Sequence, residues 1–129
     1  MDNNIHADES LFRRVSNIPQ YWKQGSDKPS SALFKDSNGV SVNRCNYRCK
    51  DEIINDEERL HKLYLKGAPL KAIISVKKVL CEDMLVQYDP EDNNKHHSLI
   101  LRNEDTIQLT ESQAKRLSRN CNIEKTYKF

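Results

Sequence analysis

The fold is decided by two neighbouring β-prone runs: Leu70 to Leu80, which reads LKAIISVKKVL, and Met84 to Tyr88, which reads MLVQY. Both runs are rich in β-branched residues, and their apolar and polar side chains partly alternate, as is typical of strands. Glu82 and Asp83 lie between the runs and predict a turn. The middle of the chain is therefore expected to form two strands that are close in sequence.

Two helices are predicted, one before and one after these strands along the chain. The first covers Asn55 to Lys66, with Asn55 as its N-cap and a glutamate three residues later. The second covers Glu111 to Arg119, where Thr110 and Gln113 match a T-x-x-Q capping box. Both segments carry apolar residues at helical spacing, so each is expected to pack one face against a sheet.

Further short strands are predicted on both sides of this central region. Asp36 to Gly39 ends in the Asn-Gly pair, which favours a hairpin turn between two of them. The element order predicts an α+β fold, a single domain with a mostly antiparallel sheet and two main helices. The further predicted strands are Leu11–Ser16, Ser31–Lys35, Val40–Asn43, His97–Arg102 and a short one within residues 122–129.

Length and charge bound the class of protein. The 129 residues suit one domain, which we place at residues 10–129 after a flexible acidic arm of residues 1–9. Residues 11–50 carry eight Lys or Arg and two Asp, a charge of +6 in a chain whose net charge is +2. The chain shows no leader peptide and no long apolar run, so a cytoplasmic protein without membrane contact is expected.

The basic segment points to an anionic ligand. It is expected to recognise a nucleotide, a nucleic acid or an acidic protein partner. Arg13 and Arg14 lie on one predicted strand, so alternation sends one of them inward, where it needs a carboxylate such as Asp89 or a bound phosphate. The alternative is a solvated face with scattered counter-charges. The candidate ligand-binding residues are Arg13, Arg14, Ser31, Lys35, Ser41, Arg44 and His97.

The four cysteines are weak metal candidates. Cys45 and Cys49 are separated by three residues, but Cys81 and Cys121 are distant, whereas a zinc site usually has two close pairs. Ordinary packed or surface thiols are the favoured interpretation. The chain has no glycine-rich phosphate loop and no established catalytic motif, so no cofactor is predicted and the question of catalysis stays open.

The motifs of the chain resemble those of a group of small uncharacterised bacterial proteins. The matching stretches are LFRRV at 11–15, SSALFKD at 30–36, SV at 41–42, DP at 89–90, HSLI at 97–100 and AKRL at 114–117. The resemblance covers residues 11–121. It implies no activity, but it implies one constellation made of Arg13, Arg14, Ser31, Phe34, Ser41 and His97.

A second likeness is to toxins of the ADP-ribosyltransferase type. RVSNIP at 14–19 followed by Gly25 is similar to their opening strand, helix and glycine, and ALFK at 32–35 with Ser37, Ser41 and Tyr47 is similar to their second motif. Glu124 would then be the late glutamate of such an enzyme. The spacing of the motifs is compressed relative to those toxins.

Three hypotheses follow from the sequence. The first is a non-enzymatic binding module of a bacterial or phage conflict or mobile-element system. The second is a small enzyme acting on a nucleotide or NAD, in which Arg14, Ser31, Ser41 and His97 converge within about 10 Å around a pocket. The third is a structural adaptor subunit that uses an exposed apolar patch or a free strand edge.

Overall fold

A computed structural model describes residues 4–64 and 67–128 of the chain. Over these residues it contains one six-stranded sheet, two α-helices and two short 3₁₀ helices, Ser31–Phe34 and Lys78–Cys81. The strands and α-helices in chain order are β1 (Ser10–Ser16), β2 (Val40–Arg44), α1 (Lys50–Leu63), β3 (Leu70–Lys77), β4 (Leu85–Tyr88), β5 (His97–Leu101), α2 (Glu111–Asn120) and β6 (Asn122–Thr126).

The sheet is antiparallel throughout its described pairings, in the order β4-β5-β2-β1-β3-β6. The predicted α+β domain with a mostly antiparallel sheet and two main helices is therefore confirmed. The capping box of α2 is also confirmed, because Gln113 N donates to Thr110 Oγ1 at 3.1 Å and Thr110 N donates to Gln113 Oε1 at 2.9 Å.

Each face of the sheet has its own apolar core. Leu11 and Val15 of β1 belong to the larger core, together with Leu117 of α2. Phe12 points to the other face and packs against Ile53 of α1. This alternation along β1 follows from the two-residue period of a strand, and it decides which face each polar neighbour approaches.

A gap opens near the centre of the sheet. β1 pairs with β3 along its whole length, but within the described strands it pairs with β2 only at Leu11↔Arg44 and Phe12↔Asn43. Beyond Phe12 the two neighbouring strands separate. The side chains of Arg13 and Arg14 lie at this separation.

The predicted strand Ser31–Lys35 is wrong. Residues 31–34 form a 3₁₀ helix, so the Asn-Gly turn that ends at Gly39 leads from this helix into β2 and does not close a hairpin. Leu33 and Phe34 are adjacent and both fully buried in the larger core. A strand would have sent one of the two out of that core, whereas a helical turn buries both.

Helix α1 begins five residues before the predicted start at Asn55, and Cys49 is its N-cap. Asp51 and Glu52 in the first turn complement the helix dipole, and Ile53 buries the next turn against the sheet. Asn55 is therefore an interior residue of the helix and caps nothing. Lys66, the predicted end, lies outside the described residues.

Part of the segment expected to be a flexible arm packs onto the domain. Ile5 is buried in the larger core, and Val79 N donates to Ala7 O at 2.9 Å. Glu9 holds the buried Arg44. Residues 1–3 of the expected arm lie outside the described part of the chain.

Candidate functional site

A cleft of about 560 Å³ opens where β1 and β2 separate, beside the second half of α1. Four of the predicted site residues line it: Arg13, Arg14, Ser41 and His97. Its volume falls within the range of about 300–1,000 Å³ that is usual for small-molecule sites.

Arg13 enters the cleft from the side of the larger core and bridges the gap between the strands. Its Nε donates to Leu33 O at 3.1 Å, and its Nη1 donates to Ser41 O at 2.6 Å. Burial lowers the pKa of Arg13, and the nearby charge of Asp36 opposes that effect. An arginine remains protonated under such conditions, so a positive charge is fixed beside Ser41.

Arg14 enters from the α1 side. Its Nη1 lies 3.4 Å from Oε2 of Glu57, a helix carboxylate that is 1% exposed. Asn43 Nδ2 donates to both oxygens of Glu57 at 2.7 and 2.8 Å. Burial raises the pKa of Glu57, while Arg14 and Asn43 act against that rise. The carboxylate that meets an arginine of β1 is therefore Glu57, not Asp89 as expected from the sequence.

Arg14 keeps donors for a ligand. Its side chain is 26% exposed, and among the described residues only Nη1 of its three nitrogens has a protein acceptor. Since a guanidinium presents five N–H donors in a fixed fork, the remaining ones suit a phosphate or carboxylate.

His97 connects Ser41 to an acidic turn. Its Nε2 lies 3.2 Å from Ser41 Oγ. On the other side of the ring, Nδ1 lies 2.9 Å from Asp89 O, 3.2 Å from Asp89 Oδ2 and 3.8 Å from Glu91 Oε1. Asp89 thus orients the histidine of this site.

The polar network beside Arg14 contains three residues that were not predicted from the sequence: Asn43, Glu57 and Asn94. Asn94 Nδ2 donates to Asn43 Oδ1 at 2.5 Å, so the polar network of Arg14, Glu57 and Asn43 continues under the cleft. A usable signal existed for Glu57, because Ile53, Glu57 and Leu60 share one helix face by their spacing. The two asparagines gave no comparable signal.

Three predicted site residues lie elsewhere. Ser31 Oγ donates to Glu111 Oε1 at 3.1 Å, and Lys35 forms an ion pair with the same Glu111. Arg44 is fully buried, and its Nε and Nη2 donate to the two oxygens of Glu9, both at 2.9 Å. The expected convergence of Ser31 with His97 is therefore not observed, because Ser31 faces the start of α2.

The cysteines do not assemble into a metal centre within the described residues, where no group of three or more His, Cys, Asp or Glu could hold an ion. Cys81 and Cys121 belong to the larger core, and burial raises the pKa of Cys81 to about 12. Cys49 Sγ donates to Glu52 Oε1 at 3.3 Å, and Cys45 Sγ donates to Arg48 O at 3.5 Å.

The basic segment of residues 11–50 is largely neutralised within the fold. Among the residues that the structure describes, five of its eight cations are in ion pairs: Arg14, Lys35, Arg44, Arg48 and Lys50. The positive charge that the sequence concentrates there is distributed over several faces, and the cleft holds its two adjacent arginines.

No family model matches the chain, and neither a curated protein nor a solved structure matches it. Neither helix in the described ranges has the length and apolar content needed to span a membrane.

Proposed function

We propose that the chain binds a small phosphate-bearing ligand of the nucleotide class in the cleft between β1 and β2. The observation that carries the proposal is that consecutive arginines, which a regular strand sends to opposite faces, line one cavity. Guanidinium groups match the geometry of phosphate oxygens and form strong charge-assisted hydrogen bonds with them.

The rest of the cleft supports a ligand with both a charged and a flat part. Tyr21, His61 and Tyr64 contribute rings to the lining, against which a base can stack. Asp89 and Glu91 lie at the His97 side of the cleft and provide acceptors for hydroxyl groups. This combination suits a nucleotide better than inorganic phosphate alone.

The distribution of charge favours a small ligand over a nucleic acid. Nucleic-acid affinity depends on many phosphate contacts along an extended basic surface. Four other cations of the basic segment are instead held by carboxylates of the same chain, namely Lys35, Arg44, Arg48 and Lys50. The two cleft arginines can therefore contact the phosphate of a small ligand, whereas the residues that the structure describes leave over no extended basic surface for a nucleic acid.

Calorimetric titration with ATP, NAD and inorganic phosphate tests the proposal. We expect Arg14→Gln to weaken binding of the best nucleotide by about 10- to 100-fold, because it removes charge-assisted hydrogen bonds. Arg14→Lys keeps the charge and loses the fork, so its effect should be intermediate. Arg119→Gln is the matched control, since it removes one exposed charge from α2.

Circular dichroism of each variant checks that it is folded, since Arg14 also faces the buried Glu57. The proposal fails if the wild-type protein binds none of the three probes at millimolar concentration. It also fails if folded Arg14→Gln, Arg14→Lys and Arg119→Gln all bind as the wild type does.

A further inference from the structure

We infer that Ser41 is a nucleophile activated by His97, which makes the cleft a site for cleaving carboxylic esters. The inference goes beyond nucleotide binding, because it requires a reactive hydroxyl and not merely a bound phosphate. Its basis is a continuous line of contacts from Ser41 Oγ to His97 Nε2 at 3.2 Å, and from His97 Nδ1 to Asp89 Oδ2 at 3.2 Å.

The hydrogen bonds of the histidine define its tautomer. Nδ1 lies 2.9 Å from the backbone carbonyl oxygen of Asp89, and a carbonyl can only accept. Nδ1 therefore carries the proton in the neutral ring, and Nε2 offers its lone pair to the Ser41 hydroxyl. This is the tautomer that a general base for serine requires.

The two strands hold this pair rigidly while leaving the nucleophile open. Ser41 and His97 lie on the paired strands β2 and β5, two register positions apart and therefore on the same face. His97 is 8% exposed, whereas Ser41 is an exposed residue of the cleft. A fixed base beside an accessible hydroxyl is the arrangement that nucleophilic catalysis needs.

Arg13 supplies positive charge next to the nucleophile. Its Nη1 donates to the backbone carbonyl oxygen of Ser41, so the guanidinium is held against the same residue that carries the reacting hydroxyl. A fixed cation at that place stabilises negative charge that develops on a carbonyl under attack. Together with Arg14 it selects esters that carry a phosphate or carboxylate group.

The reaction balances without any further reagent except water. Ser41 Oγ forms a bond to the carbonyl carbon of the ester and gives its proton to His97 Nε2. The carbon–oxygen bond to the alcohol then breaks, and the alcohol leaves with that proton. Water attacks the acyl-serine, passes a proton to Nε2, and the acid leaves as Ser41 Oγ recovers the proton.

Labelling with a fluorophosphonate probe tests the nucleophile directly. The probe forms a bond from phosphorus to Ser41 Oγ with loss of fluoride, and mass spectrometry of the digested protein locates it. We expect labelling at Ser41, no labelling of Ser41→Ala, and labelling at least 100-fold slower in His97→Asn. Ser37→Ala, which changes an exposed serine of the turn before β2, is the control and should label normally.

Several results would overturn the inference. One is wild-type protein that does not label, and another is Ser41→Ala that labels as fast as wild type. A third is folded His97→Asn that keeps the wild-type rate, because the hydroxyl would then not depend on the base. The comparison with Ser41→Ala stands even where His97→Asn loses stability, since Ser41 is exposed.

Hydrolysis of two esters separates the inference from nucleotide binding. We expect turnover of 4-nitrophenyl acetate and a higher kcat/KM for the anionic 4-nitrophenyl hydrogen succinate, and Arg14→Gln should lower the ratio of these two kcat/KM values. Nucleotide binding without labelling at Ser41 refutes the nucleophile alone. Labelling without nucleotide binding refutes the nucleotide proposal alone.

Discussion

His96 makes the stability of the fold depend on pH. The residue is 7% exposed, and its Nδ1 is a buried side-chain nitrogen that has no hydrogen-bond partner among the described residues. Burial lowers the pKa of His96 from 6.5 to about 4, and the positive charges of Arg48 and Lys95 act in the same direction. The native protein therefore keeps this ring neutral where an unfolded chain would protonate it.

The sign and size of the effect follow from linkage. Between about pH 6.5 and pH 4 the unfolded chain binds more protons at this residue than the native protein, so the free energy of unfolding falls as the pH falls. Each pH unit in that window costs about 1.4 kcal/mol, so by pH 5 the loss is about 2 kcal/mol. The contribution of His96 is fully present above pH 6.5.

The substitution His96→Leu removes the titrating ring without adding a polar group. Urea unfolding at pH 7.5 and pH 5 should show that the variant loses about 2 kcal/mol less than the wild type between the two conditions. Asn93→Leu is the control, because it places the same side chain in the same depression and leaves His96 intact. Identical pH dependence of wild type and His96→Leu, or a His96 ring that titrates near pH 6.5 by NMR, would refute the reasoning.

Two further predictions concern stability. Arg44→Met should lower the free energy of unfolding in urea by about 3–5 kcal/mol, because it leaves the carboxylate of Glu9 without its buried partner. Glu9→Gln combined with Arg44→Met should recover part of that loss. A loss below about 1 kcal/mol in the single variant would contradict a buried ion pair. Thr110→Ala should cost about 1 kcal/mol, because it removes the capping acceptor of Gln113 N, whereas Thr106→Ala, outside the helix, should not; equal midpoints for these two variants would speak against the cap.

The parts of the fold predicted correctly are those set by neighbours in sequence. The Thr110–Gln113 capping box is a contact over three residues, so the sequence alone identifies the start of α2. The strands β1, β2 and β5 follow from short β-prone segments that the sheet then buries. The segment Ser31–Lys35 contains no β-branched residue, and Leu33 and Phe34 are both buried in the larger core, so a helical turn forms there in place of the predicted strand.

Only part of the candidate site was predicted from the sequence, because its contacts join residues that are far apart along the chain. Arg14 and Glu57 are 43 positions apart, and Ser41 and His97 are 56 apart. Alternation along a strand shows which neighbouring side chains point to opposite faces of the sheet, but it does not show which residue of another element a polar side chain contacts there. Ser31 illustrates the limit, since its hydroxyl meets a carboxylate 80 positions away and is thereby removed from the cleft.

The gap between β1 and β2 is better explained as a site than as a packing fault. If the space between the two strands had no functional role, apolar side chains would fill it most stably. Buried ion pairs seldom stabilise a fold more than a hydrophobic replacement of the same volume. Here the gap is crossed by Arg13, and the floor beside it holds the buried Glu57 with Arg14 and Asn43. Such a network is costly unless each member is satisfied, and departures of this kind from local rules concentrate at functional sites. The same separation that costs the sheet its strand pairing is what exposes Ser41 and both arginines to the cleft.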